Sequence, residues 1–534
     1  MFWFLLPVFL LGSCLHNTLW PLYCHWREAR RLNLPILVTP ICRGGLSQRV
    51  LQVVLDRGLV ASFIARLPCI RVSQGSWTFR EKFSLHQEYG TVFILVSPTG
   101  CEIYVADAKA AKQILDRRLE FPKPNRLMGK MEAFGKNLAT VDGEEWQRHR
   151  RLTSKAFHEK TYRAVWDETY STASAIFRDW STSDSVESTQ VDMATLSLKV
   201  LVRACFSVDR QKERTAADST NIICLQKHIS RYLESLTTPL SAIQKHEVET
   251  DYRTLNDFIR KLIQNRKPTA SRQSENDLLS SMLAPAGKIQ FLDSEIAGNL
   301  FLFIFAGHET SASALVYIIH LLAIHPEWQE WAIEEVDHAF DSQTDGRPAF
   351  EAVYPQLKRL CALLYETLRL YGPVPMIVRK TAGKDQVLTD SKDSMIKVPR
   401  NMPININCMA LHTDPDSWGA DSLDWNPTRW LSPASGSVSE QGLFTKYSNV
   451  FFGWGAGPRI CPGQKFSQIE VVAALLCLLR DYRVTIVPEH NEEAVESRYR
   501  IQKILQQSRV RLTLQMQEAS AVRLMRRSDS LKTY

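Results

Sequence analysis

The chain has 534 residues, a mass of 61.0 kDa, 45% hydrophobic and 23% charged residues, and a formal net charge of +8. This composition excludes a disordered polymer, and so mild a charge excludes a dedicated nucleic-acid groove while leaving room for an acidic protein partner or an anionic membrane surface. The 11 cysteines show no CxxC pair and no regular spacing, which excludes a disulfide scaffold and a structural zinc site and points to a reducing compartment.

Residues 1–26 contain no Lys, Arg, Asp or Glu, and Arg27, Arg30 and Arg31 follow at once. About 20 residues span a bilayer, so 1–26 is expected to form a transmembrane anchor. Trp20, Tyr23 and Trp26 would then lie at the interface, with the arginines keeping the next segment in the cytosol. A basic leader region and a small-residue cleavage site are missing, against a signal peptide. The alternative is a hydrophobic terminus docked on the protein itself. Residues 27–50 are basic and broken by Pro35, Pro40, Gly44 and Gly45, the pattern of a linker. From 51 to 534 no further linker appears, and one large domain is expected.

"TVFILVSPTGCEIYVA" (91–106) is two β-rich runs joined by Ser-Pro-Thr-Gly, a hairpin signal. Helical patterning dominates 143–340, interrupted by the polar stretch 265–277, an expected exposed loop. Strand-like segments return from 373 to 455, a helix follows over 464–481, and short strands are expected near 483–487 and 509–526. The fold class is therefore mainly α with small β-sheets (α+β).

Residues 293–324 predict a helix from an Asp293 cap to a stop at His325-Pro326, roughly 48 Å long at 1.5 Å per residue. It is apolar on nearly every face, as a second membrane span or the central helix of a large core would be. A span would bury Glu309 near the bilayer centre at a cost of about 2.5 kcal/mol or more. His308-Glu309 lacks the second histidine of HExxH, because position 312 is Ala312. What remains is a carboxylate and a hydroxyl, Glu309 and Thr310, at a local break next to Gly307. Taken alone, a satisfied polar pair in a core explains them as well.

"GWGAGPRICPGQK" (453–465) places Cys461 just before a helix N-terminus, where backbone N–H groups favour a thiolate. Gly457 and Gly463 let backbone approach a large flat object, and Arg459 can hold a negative group. The glycine spacing fails the GxGxxG dinucleotide pattern. A thiolate on a rigid, water-poor loop beside a cation is what haem iron with a cysteine axial ligand requires. The competing reading is a Gly/Pro turn with an inert cysteine.

At this point the sequence resembles a family, the cytochrome P-450 haem-thiolate monooxygenases, over roughly residues 70–530. The signature FxxGxRxCxG is matched by Trp454, Gly457, Arg459, Cys461 and Gly463, with Trp454 where the family usually has Phe. "AGHET" (Ala306 to Thr310) matches (A/G)Gx(D/E)T, Glu366 and Arg369 match ExxR, Arg429 completes the Glu–Arg–Arg set, and Trp146 and Arg150 match WxxxR. The resemblance implies a single haem domain around the long helix, with haem b as cofactor and Cys461 as its axial iron ligand. It implies proton delivery by Thr310 and Glu309, and propionate binding by Trp146, Arg150, Arg379 and Arg459. Trp454, Gly457, Gly463, Ala306 and Gly307 would border the haem, and Glu366, Arg369 and Arg429 would form a structural charge cluster. Arg148 and Arg151 are expected on a solvated face, a docking surface for an acidic electron donor. The substrate pocket would draw on Phe134, Phe301, Phe305, Ala306, Val374 and Met376, suiting an apolar small molecule. Electrons would come from a separate NADPH-cytochrome reductase, with cytochrome b5 as a second donor. The location implied is the endoplasmic reticulum membrane, single-pass, with the catalytic domain cytosolic. The overall pattern is similar to fungal members that oxidise secondary metabolites. Two competing readings keep the same Cys461: a thiolate-haem isomerase or dehydratase that uses no external oxygen, and a haem-binding sensor or carrier.

Overall fold

The computed structural model describes residues 2–42, 45–57, 62–124, 129–206, 216–237, 242–266, 277–284, 290–341, 348–432, 442–443 and 446–530. It is mainly helical with small sheets. Where one domain is expected from residue 51 onward, the chain forms two compact units, each discontinuous in sequence. The first comprises Met1–Pro124, Val374–Asp424 and Lys446–Ile460, and the second Asn125–Pro373, Trp425–Thr445 and Cys461–Tyr534.

The first unit contains α1 (Phe2–Ala29), β1 (Ile36–Val38), β2 (Val92–Ser97), β3 (Gly100–Val105) and α2 (Ala108–Asp116). It also holds β4 (Met376–Lys380), β5 (Gln386–Thr389), β6 (Met395–Val398) and β7 (Pro403–Asn407). β2 and β3 form the expected hairpin, antiparallel with Ser97 opposite Gly100, whose φ of +141° a residue with a side chain adopts only under strain. The sheet is not confined to one end of the sequence: its order is β1-β2-β3-β7-β4, while β5 and β6 pair separately. Every β2 residue is buried because both faces are covered. Ile94, Val96, Ile103, Ile404 and Ile406 share one apolar cluster, and Phe93, Leu95 and Tyr104 another. Each such side chain contributes about 1.5–3 kcal/mol of burial. Residues 27–50, expected as a linker, instead supply β1, which pairs with β2 through the apolar run Ile36-Leu37-Val38. Helix α1 continues past residue 26 to Ala29. Leu22, Trp26 and Ala29, one helical face, pack on this sheet, and His25 Nδ1 lies 3.0 Å from the Ser97 carbonyl.

The second unit is built on helices α3 (Gly143–Ser154), α4 (Glu159–Trp180), α5 (Thr189–Phe206), α6 (Ala216–Thr237), α7 (Ala242–Arg266), α8 (Asp293–Ile324), α9 (Lys358–Tyr371) and α10 (Gln464–Asp481). β8 (Tyr482–Ile486), α11 (Ala494–Gln506), β9 (Arg509–Val510), β10 (Leu514–Gln515) and β11 (Val522–Arg526) follow. Helix α8 packs against α5, α9, α10, α11 and β8, and 72% of its most apolar window is buried in the protein. It is a core helix, which explains its all-round apolarity. Its cap is Leu292 rather than Asp293: the Leu292 N–H donates to Glu295 at 2.9 Å, and Asp293 is the first helical residue. Helix α11 has no counterpart among the expected elements. Only Ile501, Ile504, Leu505 and Ser497 of it are buried, so its periodic signal is thin. The expected loop 265–277 falls almost wholly outside the described residues.

Candidate functional site

The loop 453–463 passes from the first unit, through Ile460, to the second, from Cys461. Gly457 has φ +68°, and a Cβ there would lie 2.8 Å from the Leu115 carbonyl and 2.9 Å from Asp116 Oδ1, so glycine is required twice over. Gly463 caps α10, and a Cβ on it would come within 3.8 Å of Cys461 Sγ. Cys461 is surface-accessible yet so enclosed that burial pushes its thiol up. The Gly463 N–H and the Arg150 guanidinium pull it back down. The expected helix-terminus preference for thiolate is thus outweighed by desolvation, and a bound metal ion would remove the proton outright. Arg150 lies on α3, where burial lowers its own pKa and the Cys461 charge raises it; Trp146 on the same helix is buried. Trp454, in the first unit, meets Phe451 edge-on with ring centroids 5.9 Å apart.

On α8 the Thr310 hydroxyl donates to the Ala306 carbonyl at 2.8 Å, four residues back. Gly307, read as a place of close approach, meets α5: a Cβ would lie 3.1 Å from Leu201 Cδ1. Glu309, about 100° round the helix from Thr310, faces elsewhere. Gln515 on β10 donates to its Oε1 at 2.5 Å, and its Oε2 is buried without a hydrogen-bond partner among the described residues. Burial raises its pKa against the pull of Thr513 and Gln515. Beside it opens a cavity of about 200 Å³ lined by Gln190, Gln226, Ser230, His308, Ser313 and Gln515 among others. Glu309 and Thr310 therefore have separate partners.

The first unit gathers cations. Burial lowers Arg379 to about 10, and burial followed by Arg118 does the same to Arg459. Lys123, which matches no motif in the sequence, is held well below the ordinary lysine range by burial and then by Arg459 and Arg379. Crowded, desolvated cations are stable only where an anionic group offsets them. Arg379, Arg459 and Lys123 are of the type that could hold a carboxylate-bearing group.

Glu366 and Arg369, three apart on α9, pair twice: Nε to Oε2 at 2.8 Å and Nη2 to Oε1 at 2.7 Å, both side chains having 0% exposure. Arg429 Nε joins Oε1 at 2.9 Å. Two donors were missed, the Trp430 indole N–H to Oε2 and the Asn426 N–H to Oε1, each at 2.9 Å. Trp430 stood in the same "WNPTRW" run as Arg429. Another missed residue is Glu470 on α10, fully buried and raised by burial to about 8, with the Ser311 and Ser197 hydroxyls pulling it down. Its signal was a lone carboxylate in the apolar run "QIEVVAALL".

Among the pocket candidates, Phe134 stacks on Phe301 with ring centroids 4.3 Å apart, and Tyr232 and Tyr252 complete the cluster. Phe305 is buried. Val374 and Met376 belong to the first unit; Val374 is exposed, and Met376 packs on the Phe93–Tyr104 cluster. Arg148 is not a free docking cation: it forks onto Glu295 of α8, Nη1 to Oε2 at 2.9 Å with Nη2 on Oε1. Burial would raise Glu295, but Arg148 and the Leu292 N–H hold it down to about 2.

A family model described as Cytochrome P450 matches residues 70–513. The chain is 27% identical to a cytochrome P450 monooxygenase of Arthrobotrys oligospora, over 97% of this chain and 98% of that one. It is 28% identical to the phomenoic acid biosynthesis cluster cytochrome P450 monooxygenase of Leptosphaeria maculans, over 74% and 75%. To cytochrome P450 72A397 of Kalopanax septemlobus it is 29% identical, over 76% and 79%.

Proposed function

The chain belongs to the cytochrome P450 family, whose members resembling it are monooxygenases, and from that premise we propose that it oxidises an apolar small molecule of secondary metabolism, using O2 and electrons from a separate NADPH reductase. The observation that carries this reading is Cys461: an accessible thiol just before α10, its charged form opposed by burial but favoured by the Gly463 N–H and Arg150. Cys461 would hold the iron of haem b, which when bound supplies O2 activation for insertion into a C–H bond. Arg379, Arg459 and Lys123 would take its carboxylates, with Trp146 and Arg150 as further donors. Trp454, Gly457, Gly463, Ala306 and Gly307 would border it.

Glu309, whose carboxyl burial pushes toward its neutral form, would exchange a proton at Oε2 with water in the adjoining cavity. The Thr310 hydroxyl, donating to Ala306, keeps its lone pairs free to receive that proton through a water and pass on its own. The aromatic cluster of Phe134, Phe301, Tyr232 and Tyr252 supports an apolar substrate. The kinship with a biosynthetic-cluster enzyme of Leptosphaeria maculans supports a secondary-metabolic role.

For location we favour the endoplasmic reticulum membrane, entered by residues 2–21 of α1. Trp20 and Tyr23 are about half exposed, and Arg27 and Arg30 lie over the Tyr23 and Trp26 rings. Cytochrome b5 is the second electron donor we propose.

Purified protein should bind haem and show a thiolate-type ferrous carbonyl spectrum that Cys461→Ser abolishes. Supplied with a reductase, NADPH and an extract of host metabolites, it should yield a product heavier by one oxygen. An unchanged spectrum in Cys461→Ser overturns the assignment. Removing residues 2–21 should release the protein from the membrane pellet, and retention there would refute the anchor.

A further inference from the structure

Helices α6 and α7, which also carry Tyr232 and Tyr252 of the aromatic cluster, hold a second arrangement of reactive groups. The Cys224 thiol lies 3.4 Å from His228 Nε2, one helical turn along α6. His228 Nδ1 lies 2.6 Å from Oδ1 of Asp251 on α7, and Arg231 Nη2 reaches the same oxygen at 2.6 Å. Asp251 has 0% side-chain exposure, and its Oδ2 is buried without a hydrogen-bond partner among the described residues. A buried carboxylate so placed fixes the ring with Nδ1–H toward Asp251 and leaves the Nε2 lone pair to the thiol. The Arg231 guanidinium that shares the carboxylate also lies 3.2 Å from Nδ1.

Cys224 is exposed, whereas Cys205, Cys361, Cys408 and Cys477 are buried thiols whose pKa burial pushes up. Cys42 and Cys69 are half-buried. The chain thus has one accessible thiol, apart from Cys461, joined to a base and an orienting carboxylate among the described residues.

We propose that Cys224, His228 and Asp251 form a peroxide-reactive modification site. The Cys224 proton passes to His228 Nε2, and the sulfur attacks the nearer oxygen of hydrogen peroxide. The O–O bond breaks, the far oxygen leaves as hydroxide and takes the proton from His228, and the products are Cys224 sulfenic acid and water. Sulfur is oxidised by two electrons and the peroxide is reduced by two.

The test uses the full-length haem-loaded protein with limiting hydrogen peroxide, dimedone trapping and peptide mass spectrometry. Cys224 should acquire the adduct about tenfold faster than Cys42 or Cys69, and His228→Asn should bring it down to their rate. Asp251→Asn should slow it in the same direction, and Cys224→Ser should erase the adduct. An unaltered ferrous carbonyl spectrum certifies that each variant is folded. Labelling of Cys224 at the rate of Cys42 in the unmutated protein, which needs no variant, overturns the proposal, as does an undiminished rate in His228→Asn.

Discussion

Glu470 has no exposed surface and sits among Ser197, Ser311 and apolar neighbours on three helices of the core. Burial raises its pKa to about 8, so the folded protein keeps it protonated where an unfolded chain, with a carboxyl near its ordinary value, would ionise. The folded state then binds the extra proton, and stability is complete below about pH 4 and declines as pH rises toward 8. Glu470→Gln keeps the shape and removes the titration. Its urea midpoint should equal or fall below that of the parent at pH 5 and exceed it at pH 8. Equal pH slopes for the two proteins would show that Glu470 is ionised in the fold. The sequence displayed this residue as an oddity without telling what faced it, since Ser197 and Ser311 reach it only through packing.

At the scale of elements, the decisive contact is between α8 and the segment 129–141. Asn299 accepts from the Leu138 N–H at 2.9 Å and donates to the Glu295 carbonyl at 2.7 Å. Its amide also lies 3.1 Å from His149 of α3. The two backbones all but touch, because a Cβ on Gly298 would lie 2.3 Å from the Gly135 carbonyl oxygen. Gly298→Ala should therefore push the segment off the helix, cost about 1–3 kcal/mol and lower the thermal midpoint. It should also unseat Phe134 from Phe301, which a weaker spectral response to apolar ligands would reveal. An unchanged midpoint would mean that the segment is not seated on α8. The helix itself was legible in its apolar run and its stop at Pro326, whereas Gly298 carried no sequence signal, because what approaches it lies some 160 positions away.

For the whole molecule, the Glu366 carboxylate gathers α9 and the 425–430 segment through five donor groups at 2.7–2.9 Å. Removing one partner from a buried charged set costs about 3–5 kcal/mol, a large part of the stability of a folded domain. Glu366→Gln leaves Arg369 and Arg429 without their countercharge, and should shift the expressed protein to the aggregated, haem-free fraction. Full haem loading with an unaltered melting midpoint would show the cluster to be dispensable. Arg148 and Glu295 likewise brace α3 against α8 rather than form a docking patch.

The sequence by itself determined what is local. Two β-rich runs and a Pro-Thr turn define the 92–105 hairpin, unbroken apolarity defines α8, and a spacing of three puts Glu366 beside Arg369. In each case the partners are within a turn or two of one another along the chain, so geometry follows from dihedral angles alone. Only the tertiary structure decided the sheet order β1-β2-β3-β7-β4, the company of Lys123 among arginines, the pairing of Glu309 with Gln515, and the meeting of Cys224 and His228 with Asp251. Hydrogen bonds and desolvation act over a few ångströms, and which distant residues come that close is set by how apolar faces pack, a property of the folded chain that no local spacing encodes.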